Sequence, residues 1–299
     1  MKLRFLKYKN LFYSISAVLV LSSIGFLLLF GVVPGIEFAG GSALEVEYEQ
    51  RPSIEEVREG LREIDMGEAD VQMLGEDGVL IRTERTDEEV YEEIMGALKG
   101  AESRHFESIG PEIGDELRSM SLFAIILASI LVIIYIAVSF REEDGSVNSG
   151  KYGVIATGVA FLHDVLIVLG VFSALGHLYG VQITIPIAVA LLTTLGYSIN
   201  DTVVIFDRIR ENIREKRESD KKIVLSEIVN KSLNEIFGRS ISTSLTTLFI
   251  LFALLILGPP ALFHFILALI IGIALGMYSS LFLAGPLVLD WNSLTEKKK

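Results

Sequence analysis

Cysteine is absent from the chain, which removes disulfides, thiolate nucleophiles and Cys-ligated metals, and with them any trace of a redox compartment. Histidine is scarce. His105, His163, His177 and His264 share no ligand spacing, so neither a metal site nor a cofactor is expected. Bases are outnumbered, 26 against 38 acids, for a net charge of −12. That balance excludes nucleic acid as a partner, because phosphate binding needs clustered, outward-facing positive charge. Charged residues of either sign make up only 21% of the 299 residues, against 51% hydrophobic. This excludes both a soluble globular enzyme and a disordered acidic chain.

What is present is sharply segregated. Residues 34–118 hold 24 acids and 8 bases, a balance of −16, and the remainder carries +4. One block is a water-soluble acidic domain and the rest is a membrane protein. A helix crossing hydrocarbon needs roughly 20 apolar residues, since about 30 Å is covered at about 1.5 Å per residue. Six such stretches are expected: 11–33, 119–140, 152–176, 184–206, 240–257 and 261–289, the last two divided by Gly258-Pro259-Pro260. The first is too long for a signal peptide and lacks a small-residue cleavage site, so it is read as a retained anchor.

Lys and Arg in short loops resist translocation and so fix direction. Lys2, Arg4, Lys7 and Lys9 in the N-terminus (1–10), nine bases in the amphipathic loop 207–239, and Lys297-Lys298-Lys299 in the tail (290–299) fall on one side if there are six spans. Both termini are then cytoplasmic, in a multi-pass protein of the cell membrane, and 34–118 lies outside. Arg208, Arg210, Arg214 and Arg217 suit anchoring at lipid head groups, with docking to another macromolecule as the alternative.

Inside 34–118 the periodicity becomes that of soluble structure. Leu44, Val46 and Tyr48 alternate as in a strand, and Ile54, Val57, Leu61 and Ile64 recur at helical spacing behind Pro52-Ser53. Strands at about 69–75 and 78–84 flank Gly75-Glu76-Asp77-Gly78, a hairpin turn. A helix at about 87–98, with Asp87 as N-cap, and a strand at about 103–109 complete a β-α-β-β-α-β order. That is the split ferredoxin-like arrangement. No nucleophile stands beside a base, so no enzyme is expected there.

Two carboxylates fall within spans, where each costs roughly 2.5–3.5 kcal/mol unless something uses or pairs it. Asp164 lies about twelve residues, roughly 18 Å, into the third span, and Asp201 about nine residues, roughly 13 Å, above Arg210. Around Asp201 the helix is small and polar, with Gly196 and Asn200 four apart on a face suited to a partner helix. Arg239 opens the fifth span, and Thr243 and Thr247 belong to the hydroxyl-rich run above it. If spans four and five pack together, Arg239 approaches Asp201 and a proton gained or lost there switches the pair. The plainer alternatives are that Asp201 and Asp164 only hydrogen-bond within the bundle, His163 and the nearby Gly158 and Ala160 pointing to packing, and that Arg239 snorkels to the interface.

The run Leu195-Gly196-Tyr197-Ser198-Ile199-Asn200-Asp201-Thr202-Val203-Val204-Ile205-Phe206-Asp207-Arg208-Ile209-Arg210-Glu211-Asn212 closely resembles the signature of the SecF family, the membrane subunit that accompanies SecD at the protein-export channel. So do Ser232-Leu233-Asn234 through Arg239-Ser240-Ile241-Ser242-Thr243-Ser244-Leu245-Thr246-Thr247, the segment Leu162-His163-Asp164, and Gly35-Ile36-Glu37-Phe38-Ala39-Gly40-Gly41, where Glu37 replaces the more usual Asp. The resemblance implies a six-span α-helical half of the resistance-nodulation-division (RND) architecture, with SecD as the other half. It implies that the proton gradient assists export of secreted polypeptides through the Sec channel. It also implies that Asp201 carries the proton and that Arg239 is its basic partner, a further carboxylate coming from SecD.

Three rivals remain at this level. An intramembrane aspartyl protease would pair Asp164 with Asp201, but the Tyr-Asp and Gly-x-Gly-Asp contexts are missing. Half of an RND-type lipid or small-molecule exporter would need a larger exterior domain than 85 residues. A purely structural subunit that stabilises SecD would need no proton at all.

Overall fold

The computed structural model describes residues 4–87, 89–139, 149–219 and 224–296. Lys2, Glu88, Lys221, Lys222 and Lys297-Lys298-Lys299, all used in the sequence reading, lie outside them, as does most of the connection after the second span. The elements are α1 (Lys9–Phe30), a short α2 (Ile36–Ala39), β1 (Gly41–Tyr48), α3 (Ile54–Glu63), β2 (Asp70–Leu74), β3 (Gly78–Thr83), α4 (Val90–Ala97) and β4 (Ala101–Ile109). They continue with α5 (Pro111–Ser139), α6 (Ser149–Tyr179), α7 (Ile185–Glu218), α8 (Leu225–Leu257), α9 (Phe263–Ser279) and α10 (Gly285–Glu296). Six helical stretches are long and apolar enough to cross a membrane. The chain divides into two compact units: Met1–Gly31 with Ile125–Ala174 and Val189–Lys299, and Val32–Ala124 with Leu175–Ala188.

The second unit holds an antiparallel sheet in the order β2-β3-β1-β4, which is the ferredoxin-like order. Register places Leu44 opposite Ile81 and Val46 opposite Val79, so one face of the pleat carries the apolar set. Val57 and Leu61 of α3 and Val90 and Ile94 of α4 cover that face, and all of these are buried. A reciprocal cap starts α3: Ser53 Oγ accepts from the Glu56 N–H at 3.3 Å, and the Glu56 carboxylate accepts from the Ser53 N–H at 2.8 Å.

Three expectations need correction. The second exterior helix starts at Val90 rather than Asp87. The Asp87 carboxylate is gripped by two guanidinium N–H groups of Arg85, at 2.9 and 2.8 Å, which holds it in the preceding loop. The stretch 207–239, read as a loop, is helical over nearly all its described length. Its apolar positions Ile209, Ile213, Ile228, Val229, Leu233 and Ile236 are buried against one another, so α7 and α8 pack beyond the expected spans. The sixth span is not one regular helix: a π turn at Ser280–Ala284 separates α9 from α10.

The first unit is held by small residues at helix crossings and by buried polar bonds. A Cβ at Gly272 would meet the Thr194 side chain, one at Gly276 would meet Ser198 Cβ at 2.9 Å, and one at Gly170 would meet Ser23. These spacings bring α9 onto α7 and α6 onto α1, the close approach that replaces hydrophobic drive between helices in lipid. Tyr278 of α9 donates to the Phe12 carbonyl at 2.8 Å, and Tyr13 of α1 donates to Asp290 at 3.0 Å, which also pairs with Lys9. By contrast, no residue in the apolar window of α5 is buried.

Replacing Gly276 by Val drives a branched side chain into Ser198. The expected cost is about 1–3 kcal/mol, seen as a lower thermal midpoint of the purified chain in detergent. Gly196→Val, at a position open to 4 Å, should leave that midpoint nearly unchanged; equal shifts would refute the packing assignment.

Candidate functional site

α7 carries both halves of the candidate site on different faces. Ser198 and Asp201, three residues apart, lie on one buried face, and Thr193, Gly196 and Asn200 on an exposed one. Asp164 of α6 reaches the buried face one turn before Asp201. Its carboxylate accepts from Ser198 Oγ at 2.7 Å and from Ser279 Oγ at 2.9 Å, and its other oxygen lies 2.9 Å from His163 Nδ1. Three helices thus meet on one carboxylate. A second set of bonds extends the cluster: Ser280 Oγ donates to the Ser198 carbonyl at 3.0 Å and lies 2.9 Å from Thr202 Oγ1. His163 is 4% exposed, stacks near Tyr278, and leaves Nε2 buried without a hydrogen-bond partner.

Asp201 is in a different condition. It is 6% exposed, yet among the described residues no donor bonds its carboxylate. Arg239 acts on it electrostatically across space without forming an ion pair. The expected Asp201–Arg239 approach is therefore a proximity and not a contact, with Arg239 itself exposed near the middle of α8. Thr243 is exposed and donates to the Arg239 carbonyl at 2.9 Å. Thr247 Oγ1 meets the Tyr197 hydroxyl, which ties α8 to α7. Thr243, Thr246 and Thr247 of the hydroxyl-rich run thus donate to carbonyls of their own helix, and among the described residues Ser244 Oγ alone of that run is buried and unpartnered. Together Gly196, Asn200, Arg239 and Thr243 give α7 and α8 open faces of small and polar residues.

Asp164 and Asp201 do not share a hydrogen bond, so the geometry gives no carboxylate dyad of the protease kind. Ser279 and Ser280 were missed by the sequence reading. The available signal was a serine pair beside Tyr278 within fifty residues free of charge.

Comparison with known proteins decides the family. The model of the protein export membrane protein SecD/SecF C-terminal family matches residues 90–294. Protein translocase subunit SecF of Thermobaculum terrenum is 39% identical, covering 96% of this chain and 93% of its own. The chain belongs to the SecF family of protein translocase subunits. The SecF of Calditerrivibrio nitroreducens is 34% identical, covering 98% and 95%, and that of Haemophilus influenzae 34%, covering 96% and 85%. The crystal structure of SecDF, a translocon-associated membrane protein from Thermus thermophilus, superposes with a TM-score of 0.85 at 32% identity, over 98% of this chain. A SecDF structure in a super-membrane-facing form gives 0.70 at 31% identity, over all of it. The chain spans 39% and 40% of those two SecDF chains. With this family and six apolar helices, the protein is a multi-pass membrane protein with a Sec-associated role in export.

Removing the shared acceptor should cost more than removing the isolated one. Asp164→Ala strands three groups that bond one carboxylate, at about 1–3 kcal/mol for each left unsatisfied, whereas Asp201→Ala breaks no hydrogen bond. Thermal unfolding of the two purified variants should show the larger loss at Asp164, and equal midpoints would remove the cluster from the account of stability.

Proposed function

We propose that this SecF-family chain pairs with SecD in the cell membrane and helps move secreted polypeptides through the Sec channel at the expense of the proton gradient. In this reading both termini and the α7–α8 connection are cytoplasmic, 34–118 lies outside, and the spans are embedded in lipid. No covalent catalysis and no nucleic acid is involved. SecD as the partner is supported by the fused SecDF relatives, of which this chain matches a part.

The observation that carries the proton reading is Asp201, a residue on the buried face of α7 whose carboxyl has no hydrogen-bond donor among the described residues, set beside an open face. A carboxylate that is neither paired nor bonded in a low-dielectric bundle has the most to gain from a proton. Arg239 stands near it without an ion pair, so small changes in how α7 and α8 pack alter what surrounds the carboxyl. Gly196 leaves room for a second chain's helix and Asn200 offers it an amide. Thr243 and Thr247 line the neighbouring face, and Asp164, one turn away through Ser198, is a fixed second carboxylate of the relay. One charge crossing about 100 mV supplies about 2.3 kcal/mol, enough to bias a two-state rearrangement with a gap of that size.

Asp201→Asn keeps the shape and removes the titration. In cells where the variant still assembles with SecD, export of a secreted reporter is expected to fall at least to the level seen when the proton gradient is collapsed. Unchanged export would leave a subunit that stabilises SecD without coupling to protons.

A further inference from the structure

The segment Gly35-Ile36-Glu37-Phe38-Ala39-Gly40-Gly41 lies outside the proposed proton path, yet it packs closely within the second unit. Pro34 forms an isolated parallel bridge with Ile183. The Gly35 N–H donates to the Ile183 carbonyl and the Ile183 N–H to the Val33 carbonyl, both at 2.7 Å. The chain leaving α1 is thereby stitched to the chain entering α7. Gly40 and Gly41 take φ values of +77° and +123°, and a Cβ on Gly41 would strike the Thr83 carbonyl of β3, so a side chain is excluded on two counts. A Cβ on Gly40 would lie 3.0 Å from Pro111, where α5 begins. One seven-residue stretch therefore joins the end of the first span, the first strand of the sheet and the starts of α5 and α7.

Glu37 sits at the centre of this joint. Its carboxylate draws on its own backbone N–H and on that of Ile185, the first residue of α7. Its Oε2 is buried and has no hydrogen-bond partner among the described residues. That oxygen and the Ile183 carbonyl both crowd the position a Gly35 side chain would occupy. An ionised carboxylate leaves Oε2 an unsatisfied buried acceptor, whereas a neutral carboxyl places an O–H donor there.

We infer that Glu37 is a positioning residue that locks the exterior domain to the start of the fourth span when its carboxyl is protonated and loosens that joint when it ionises. The inference rests on the proposed proton-coupled function for its use, but not for its test.

The charged groups acting on Glu37 are Glu107 from β4 and Arg82 from β3, the latter held by Asp70 of β2 at 3.1 Å. Segments 31–36 and 180–184 bring no titratable side chain, and Glu112 and Asp115 in the first turns of α5 are exposed. Burial is the largest influence and raises the carboxyl above its usual range. Glu107 adds to it, and the two backbone N–H groups and Arg82 oppose it. An acid whose pKa is raised in the closed state favours closure below its open-state value and loses that contribution as pH rises through the closed-state value. The lock is therefore made at acidic pH, which is the proton-rich side in the proposed orientation.

Hydrogen exchange of the full chain in lipid nanodiscs, corrected for the intrinsic effect of pH, reads the joint through the amides of 181–188. Wild-type protection is expected to be greater at pH 5 than at pH 8 and to fall as pH rises through the closed-state value. Glu37→Gln should be strongly protected at both, and Glu37→Ala weakly at both. A wild-type chain with no pH dependence, or a Gln variant that follows the wild type, overturns the inference. Asp201→Asn should behave as wild type in this measurement, so failure of the joint and failure of the Asp201 proton path are separable. If the Ala variant does not fold, the Gln variant decides alone.

Discussion

An ionisable carboxyl among apolar helices must be solvated by something other than water, and the bundle answers this twice in opposite ways. At Asp164 the answer is complete: two serines and a histidine supply the bonds, and each comes with a helix attached. The carboxylate is thus a structural node joining α6, α7 and α9, because removing any one helix leaves a polar group orphaned in hydrocarbon. At Asp201, one turn along the same face, the answer is withheld. Arg239 acts from a distance and no donor closes in. A rigid site, where Ser198 binds Asp164, and a responsive site at Asp201, one turn further along α7, are what a device that changes state requires: a fixed frame against which a single group can move.

The frame depends on the geometry of α9 as much as on its chemistry. Gly272 and Gly276 let it lie against Thr194 and Ser198 closely enough for hydroxyls to reach carboxylates. The π turn that follows widens the helix where Ser279 and Ser280 point at Asp164 and at the Ser198 carbonyl. Wider turns of this kind cluster at functional positions because they re-aim side chains without ending the helix. Small residues, a local irregularity and two hydroxyls form one arrangement.

Much of this was legible in the sequence, for physical reasons that differ between its parts. Hydrocarbon thickness and strand alternation impose periods on composition, so six spans and the β-α-β-β-α-β domain follow from counting. Asp164 and Asp201 stand out because an acid within an apolar run is costly enough to need a cause. The partners of Asp164 were not legible. Ser198 and Ser279 are 81 residues apart, and serine in a membrane helix carries no signal until packing makes it a donor. That the fourth helix continues past Phe206 was readable, but the helical stretch of α8 before Arg239 was hidden because its mixed charge reads as a solvated loop, although its apolar positions recur at helical spacing. The role of Glu37 was hidden for a third reason: a glycine-flanked acid says only that backbone comes close, and not to which backbone.

The open faces of α7 and α8 complete the argument about what surrounds the chain. Thr193, Gly196 and Asn200, with Arg239, Ser242, Thr243 and Thr246, are exposed, whereas the large side chains exposed on α5 beyond Ser119 and on the later part of α8 are apolar or aromatic, mostly Leu, Ile and Phe. Lipid suits the second set and not the first, since an amide and a guanidinium facing hydrocarbon each cost several kcal/mol, by the order of magnitude for buried polar groups. The first set is therefore a surface for protein or for water. Asp201 lies directly behind it, with no donor of its own. In the proposed function, a helix that covers this face excludes water from the carboxylate and one that withdraws admits it, so that the packing of this face sets whether a proton there is kept or released.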